Sequence, residues 1–134
     1  EPQAKALPSG VKMFTLVEGK GKQPNHTQQV MVNYAGYLAN GTLFDSNVKE
    51  IEETYGKYNA MREQQGGYQA FPMEYNSNAP LIPGFKEALL KMKVGDKVRV
   101  FIPAALGYGE RGAGEVIPPN SDLIFDIEIT DIAK

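Results

Sequence analysis

The 134-residue chain contains no cysteine and a single histidine, His26. Without cysteine it has no disulfide, no thiol nucleophile and no thiolate to offer a metal. His26 lies in a polar stretch with no carboxylate cluster beside it. Nucleophilic triads need a base next to the nucleophile, and catalytic zinc needs several nitrogen or sulfur ligands. We therefore expect no bound metal and no histidine-based catalysis.

Strong charge of one sign and long apolar runs are also absent. The net charge is −2, which gives no electrostatic basis for binding nucleic acid or an anionic membrane. No apolar run approaches the roughly 18 residues that a transmembrane helix needs. The apolar fraction of 42% and the charged fraction of 22% are typical of one globular domain.

A glycine motif at Gly107, Gly109 and Gly112 matches the GxGxxG spacing of dinucleotide-binding proteins. That function requires a helix directly after the motif, because the helix N-terminus binds the pyrophosphate. Here the sequence EVIPP follows, and it cannot begin a helix. We interpret the motif as a mobile loop and expect no cofactor.

Hydrophobic patterning predicts five or six strands joined mostly by hairpins. The strands are expected at residues 11–18, 30–38, 42–46, 71–75, 97–102 and 123–132. Asn40-Gly41 predicts a type I′ hairpin turn, because that turn needs positive φ at both positions. Pro72 predicts that its strand lies at a sheet edge or in a bulge.

Helical spacing predicts two helices, and the first ten residues show no periodicity. One helix is expected over residues 48–65, and a short second one begins at Pro83-Gly84. Phe85, Ala88, Leu89 and Met92 form the apolar stripe of the second helix. Residues 1–10 are expected to be a flexible leader. The fold class is therefore α+β, an antiparallel sheet wrapped on one short helix with an extra helix at about 48–65.

Three segments combine aromatic and branched side chains with few polar groups: residues 34–46, 81–85 and 106–128. They predict one apolar pocket with Tyr34, Asp45 and Tyr108 at its rim, suited to a compact apolar group such as a proline ring. Asp45 follows Phe44 beside the strand of Tyr34. If the carboxylate is buried it must find donors, and tyrosine hydroxyls are natural ones. We expect Asp45 to be largely buried and hydrogen-bonded by Tyr34; an exposed loop aspartate is the alternative.

The segments VNYAGYLANGTLFDS, LIPGFKEALLKMKVGDKVRVFIP and LGYGERGAGEVIPPNSDLIFDIEI, in this order and spacing, resemble the FKBP-type peptidyl-prolyl cis-trans isomerases over residues 11–134. The resemblance implies a strongly curved sheet around the short helix, with a proline-binding pocket between them. It implies that Tyr108, Asp45 and Ile82 are catalytic, with donors from the Tyr108 hydroxyl and the Ile82 N–H. The substrate-binding residues that it implies are Tyr34, Phe44, Phe71, Leu81, Phe85, Val116, Ile117 and Phe125.

Two departures from the family pattern stand out. Phe85 occupies the pocket floor, where the family usually has tryptophan, and a roomier pocket is expected to weaken binding of tacrolimus or rapamycin-type macrolides. The stretch between Asp45 and the strand at 71–75 is longer than in a minimal member, and we call residues 47–70 the insert.

The resemblance also sets expectations about partners. Proline-containing polypeptides are the expected substrates of a bacterial, monomeric enzyme. The alternative is a non-catalytic module that binds proline peptides, with the inserted helix as a second contact surface. Because the chain begins without Met, two compartments stay open, a bacterial periplasm or envelope and the cytoplasm.

Overall fold

The computed structural model describes residues 5–6, 10–76, 81–113 and 117–133. The strands are β1 (Lys5–Ala6), β2 (Lys12–Val17), β3 (Gln29–Leu38), β4 (Leu43–Ser46), β5 (Phe71–Glu74), β6 (Lys97–Ile102) and β7 (Leu123–Ala133). The α-helices are α1 (Lys49–Thr54), α2 (Ala60–Gln64) and α3 (Pro83–Leu89), and a 3₁₀ turn covers Ala104–Leu106. None of these described helices has the length and apolar character needed to cross a membrane.

All strand pairs form one antiparallel sheet in the order β1-β2-β6-β7-β3-β4, and β5 also pairs with β3. The six predicted strands are present. The short strand β1 lies within the expected leader and pairs with β2, so this part of residues 1–10 belongs to the sheet. Residues 1–4 and 7–9 of that leader lie outside the described residues.

The core lies between the sheet and α3. Alternate residues of β7 face it, and Phe125, Ile127 and Ile129 are buried as the two-residue period predicts. The predicted apolar stripe of α3 is buried as well. Gly84 allows α3 to approach β6 closely, because a Cβ at Gly84 would lie 2.5 Å from Cγ2 of Ile102.

The turn between β3 and β4 differs from the predicted type I′ turn. Gly41 has a φ of +92°, whereas Asn40 is not among the described residues with positive φ. The Gly41 N–H donates to the Leu38 carbonyl at 2.8 Å, and the Leu38 N–H donates to the Thr42 carbonyl at 2.9 Å. This is a three-residue hairpin loop with one left-handed glycine, so the type I′ prediction was wrong.

The insert contains two short helices instead of the single helix expected over residues 48–65. Gly56 has a φ of +71°, and a left-handed glycine ends α1 because it turns the chain away from the helix axis. Asn59 then caps α2, since its side-chain oxygen accepts a hydrogen bond from the Arg62 N–H at 3.0 Å. The spacing that looked continuous therefore spans two helices.

One edge of β3 is shared by two strands. The register with β4 runs to Ala35↔Ser46, and the register with β5 begins at Val32↔Phe71. Pro72 lies in β5, which pairs with β3 and forms an edge as predicted. The chain between β4 and β5 is the insert, so the insert leaves and rejoins the sheet beside Tyr34.

Asn47 fills the gap between β4 and β5 with its side chain, which is almost fully buried. Its amide oxygen accepts from the Tyr34 N–H at 2.8 Å. Its amide nitrogen donates to the Val32 carbonyl at 2.8 Å and to the Gln69 carbonyl at 3.1 Å. A side chain thus provides the hydrogen bonds that a backbone ladder provides elsewhere in the sheet.

We predict that Asn47→Ala destabilises the protein by about 2–4 kcal/mol, because each buried backbone group left unpaired costs about 1–3 kcal/mol. Urea unfolding measures this change. Asn47→Asp keeps the acceptor for the Tyr34 N–H and loses the donors, so it separates the two contributions. The control is Asn40→Ala, which removes an exposed amide bonded to the Thr42 N–H and should cost less than about 1 kcal/mol. Equal effects of Asn47→Ala and Asn40→Ala would contradict the bridging role.

Candidate functional site

A cavity of about 610 Å³ opens between the inner face of the sheet, the start of α3 and the insert. Nine residues from the sequence analysis line it: Tyr34, Phe44, Asp45, Phe71, Leu81, Ile82, Phe85, Tyr108 and Phe125. Four more were not predicted: Asn47, Arg62, Gly67 and Met73. The three separated sequence segments therefore meet at one site, and the insert contributes to its wall.

The inner part of the cavity is a cluster of aromatic rings packed edge to face. The ring centroids of Phe85 and Phe125 are 5.1 Å apart, those of Phe44 and Phe125 are 5.5 Å apart, and those of Tyr34 and Phe85 are 6.4 Å apart. Edge-to-face pairs at these distances are mutually favourable. Gly36 gives two of the rings room, since a Cβ there would lie 2.6 Å from Phe44 and 2.8 Å from Phe125.

Asp45 accepts hydrogen bonds on both carboxylate oxygens. The Tyr34 hydroxyl donates to Oδ2 at 2.7 Å, and Nη1 of Arg62 donates to Oδ1 at 2.8 Å. The predicted bond from Tyr34 is confirmed. The expected burial of Asp45 is wrong, because its side chain is 41% exposed. The carboxylate lies at the mouth of the cavity, where solvent and Arg62 both stabilise its charge.

The two tyrosine hydroxyls of the site are held in their neutral form. Burial raises the pKa of Tyr34 far above its usual range, and the hydrogen bond and charge of Asp45 raise it further, against the opposing effect of Arg62. Burial, followed by the charge of Asp45, also raises the pKa of Tyr108. Both hydroxyls are therefore protonated at neutral pH and can donate a hydrogen bond.

The start of α3 forms the opposite wall of the cavity. Pro83 is at the first position of the helix, where its fixed φ is favourable, and Ile82 is the N-cap. The N–H of an N-cap residue has no acceptor within its helix. Phe71 and Tyr108 lie at the rim and are 57% and 38% exposed.

Two predicted substrate-binding residues are not placed in the cavity wall. Val116 lies outside the described residues. Ile117 is buried in the hydrophobic core and pairs with Ala113 in an isolated β-bridge. Its side chain packs in that core and is not among the described residues that line the cavity.

Arg62 is the most important residue that the sequence analysis missed. The sequence analysis assigned residues 48–65 to a single helix, which gave no reason to bring Arg62 to the pocket. Recognising Asn59 as an N-cap would have predicted a second helix beginning beside Arg62. Its partner Asp45 is 17 positions away in the chain, and no local pattern encodes that contact.

Comparison with known proteins shows that the chain is similar to one family. A sequence profile described as FKBP-type peptidyl-prolyl cis-trans isomerase matches residues 20–130. The chain is 40% identical over 124 residues to an FKBP-type 22 kDa peptidyl-prolyl cis-trans isomerase from Escherichia coli, covering 92% of this chain and 50% of that protein. It is 38% identical over 121 residues to FK506-binding protein 1 from Dictyostelium discoideum, covering 90% of this chain and 95% of that protein.

A solved structure agrees with these sequence matches. The crystal structure of a peptidyl-prolyl cis-trans isomerase from Pseudomonas syringae superposes with a TM-score of 0.73 at 30% identity, covering all of this chain and 84% of that chain. The chain spans about half the length of the E. coli protein, so the comparison with that relative concerns one part of it.

The hydrogen bond between Tyr34 and Asp45 predicts an unusual titration. At a pH of about 11, above the reference tyrosine pKa of about 10, Tyr34 should remain protonated. Asp45→Asn removes the carboxylate charge and should lower the Tyr34 pKa, while burial still holds it above the reference value. The ¹³Cζ resonance of labelled tyrosine, assigned with Tyr34→Phe, measures both pKa values. An ordinary Tyr34 titration in the wild type, or no change in Asp45→Asn, would contradict this account.

Proposed function

The chain belongs to the FKBP-type peptidyl-prolyl cis-trans isomerases, and we propose that this domain itself accelerates rotation about X–Pro peptide bonds. The observation that carries the proposal is the cavity, which has packed aromatic rings inside and few polar side chains in its lining. Such a cavity fits a proline ring and removes its amide bond from water. Proline-containing polypeptides are the proposed substrates.

The chemistry of the amide bond explains why such a site is sufficient. Resonance gives the C–N bond partial double-bond character and a rotational barrier of about 18–20 kcal/mol. The planar amide is polar and stabilised by water, whereas the twisted amide has lost resonance and much of that polarity. Transfer into an apolar cavity therefore raises the free energy of the planar form more than that of the twisted form. The difference lowers the barrier, and each ~1.4 kcal/mol is worth tenfold in rate.

Hydrogen-bond donors at the cavity mouth add selectivity for the twisted amide. We assign to the Tyr108 hydroxyl and the Ile82 N–H the role of donating to substrate carbonyl groups. Asp45 orients Tyr34 at the wall through the 2.7 Å hydrogen bond from its hydroxyl. These donors contribute to catalysis to the extent that they bind the twisted amide more strongly than the planar one.

The alternative function, a non-catalytic module that binds proline peptides, is not favoured. The relatives to which the chain is similar are named as isomerases. The cavity also has the Tyr108 hydroxyl at its rim, and the donor role that we assign to it favours the twisted amide, beyond what simple capture of a proline ring needs.

We predict that micromolar amounts of the protein accelerate cis/trans exchange of a Leu-Pro peptide in a protease-coupled assay. Tyr108→Phe keeps the ring and removes the donor. It should lower kcat/KM about three- to tenfold, since a neutral hydrogen bond contributes about 0.5–1.5 kcal/mol. Tyr55→Phe is the matched control, because Tyr55 contacts Tyr37 outside the cavity. A wild-type rate equal to that in buffer would sink the proposed activity and leave the binding module.

The same cavity is proposed to bind tacrolimus-type macrolides. One relative is named an FK506-binding protein and is covered over 95% of its length. Phe85 lies at the inner end of the cavity and is 4% exposed. A phenyl ring at this position covers less apolar surface than an indole ring, so we propose that macrolide affinity is weaker than it would be with tryptophan.

Phe85→Trp should therefore tighten tacrolimus binding about fivefold. A few tens of Å² of added apolar contact contributes roughly 1 kcal/mol at about 25 cal/mol per Å². Calorimetry measures the affinity, and Phe14→Trp, which enlarges an aromatic packed on Phe101 away from the cavity, is the control. Weaker binding by a folded variant would mean that the cavity has closed around the phenyl ring, since overpacking typically costs about 1–3 kcal/mol.

A further inference from the structure

The insert reaches the cavity through a helix that has no apolar anchor. None of the residues of α2 is buried, so hydrophobic packing does not fix its position. Arg62 joins it to the sheet, with Nη1 2.8 Å from Oδ1 of Asp45. Arg62 and Gly67 both line the cavity. The part of the wall that the insert supplies therefore depends on a charged contact.

Contacts with several neighbouring residues fix the position of the Arg62 side chain. Gly67 leaves room for its stem, because a Cβ at Gly67 would lie 2.5 Å from Cγ of Arg62. The guanidinium lies over the ring of Tyr68, 5.3 Å from its centroid. The Tyr68 hydroxyl donates to Oε1 of Glu52 at 2.8 Å, and Nη1 of Arg62 is 3.6 Å from the same oxygen. The guanidinium is thus held between two carboxylates.

The net charge at the cavity mouth depends on Arg62. Glu52 has a side chain only 6% exposed, and Asp45 lies at the mouth of the cavity. Asp45 and Arg62 are the two charged residues among the described residues that line the cavity. The neighbouring pair of Lys49 and Glu63, 2.7 Å apart, compensates itself. Without the guanidinium, the Asp45 carboxylate at the cavity mouth would face a substrate unneutralised.

We propose that Arg62 is a specificity-determining residue, which neutralises Asp45 at the cavity mouth so that the site accepts an acidic residue next to the substrate proline. This inference rests on the proposed isomerase function. A substrate carboxylate beside the proline lies near the cavity mouth, where Arg62 compensates the charge of Asp45 in the wild type. If Arg62 were replaced by a neutral residue, the substrate carboxylate would meet the uncompensated negative charge of Asp45. The insert thereby sets the charge preference of the site while the sheet and α3 set its fit to the proline ring.

The test compares peptides that differ only in the residue before proline, which is Glu, Leu or Lys. We expect Arg62→Gln to lower the ratio of kcat/KM for Glu-Pro to that for Lys-Pro about two- to fivefold, the range of partly exposed ion pairs. High salt should reduce the change, because it screens exposed charges. Arg62→Lys should restore most of the ratio. Lys49→Gln, which breaks the other ion pair of the insert, should leave it unchanged.

An unchanged Glu-to-Lys ratio in folded Arg62→Gln would overturn the inference. If kcat/KM then falls equally for all three peptides, Arg62 has a structural role only. If the wild type does not accelerate the Leu-Pro peptide, the proposed activity fails separately. In that case ¹⁵N NMR titration with the same peptides measures the charge preference, and equal affinity ratios for wild type and Arg62→Gln would contradict the role of Arg62.

Discussion

Strand β3 is the element on which both the sheet and the site depend. It pairs with β7 from Gln29 to Leu38, and it divides its other edge between β4 and β5. On this divided edge the backbone beside Tyr34 has no strand partner, and Asn47 closes that gap with its side-chain amide. The same stretch of β3 carries Tyr34, which bonds Asp45, and Gly36, which gives space to the aromatic rings. The strand pairing of β3 and the geometry of the cavity therefore depend on the same stretch of chain.

The fold was largely predictable because its signals are local. Alternating burial along β7 and the stripe of α3 follow from periods of two and 3.6 residues, which a single sequence displays directly. The incorrect predictions concern segments in which one sequence pattern fits two different local structures. Asn40-Gly41 fits a type I′ turn and also a type I turn followed by a left-handed glycine. The two are separated by φ, which is positive at Gly41 (+92°) but not at Asn40. Gly56 similarly divided a pattern that looked like one helix.

The site was predictable only in part, because its apolar and polar members are encoded differently. The aromatic residues belong to three segments whose composition marks them as a pocket. Arg62 and Asn47 are polar residues in a charged or turn-like context, and their partners are fixed by the path of the insert. The expectation of a buried Asp45 also failed, because its carboxylate lies at the cavity mouth and pairs with a guanidinium that is 17 positions away in the chain. Contacts of this kind require the tertiary path of the chain.

The side-chain bridge at Asn47 also makes the fold tolerant of changes in chain length at one place. Because β4 and β5 each take their register from pairing with β3, the register of neither strand is set by the number of residues between Asn47 and Gln69. Segments of other lengths can be exchanged there while the sheet and α3 keep their packing. The exchanged segment would still border the cavity mouth, since both of its ends are fixed beside Tyr34. The architecture therefore separates the sheet and α3, which frame the cavity, from a replaceable segment at its mouth.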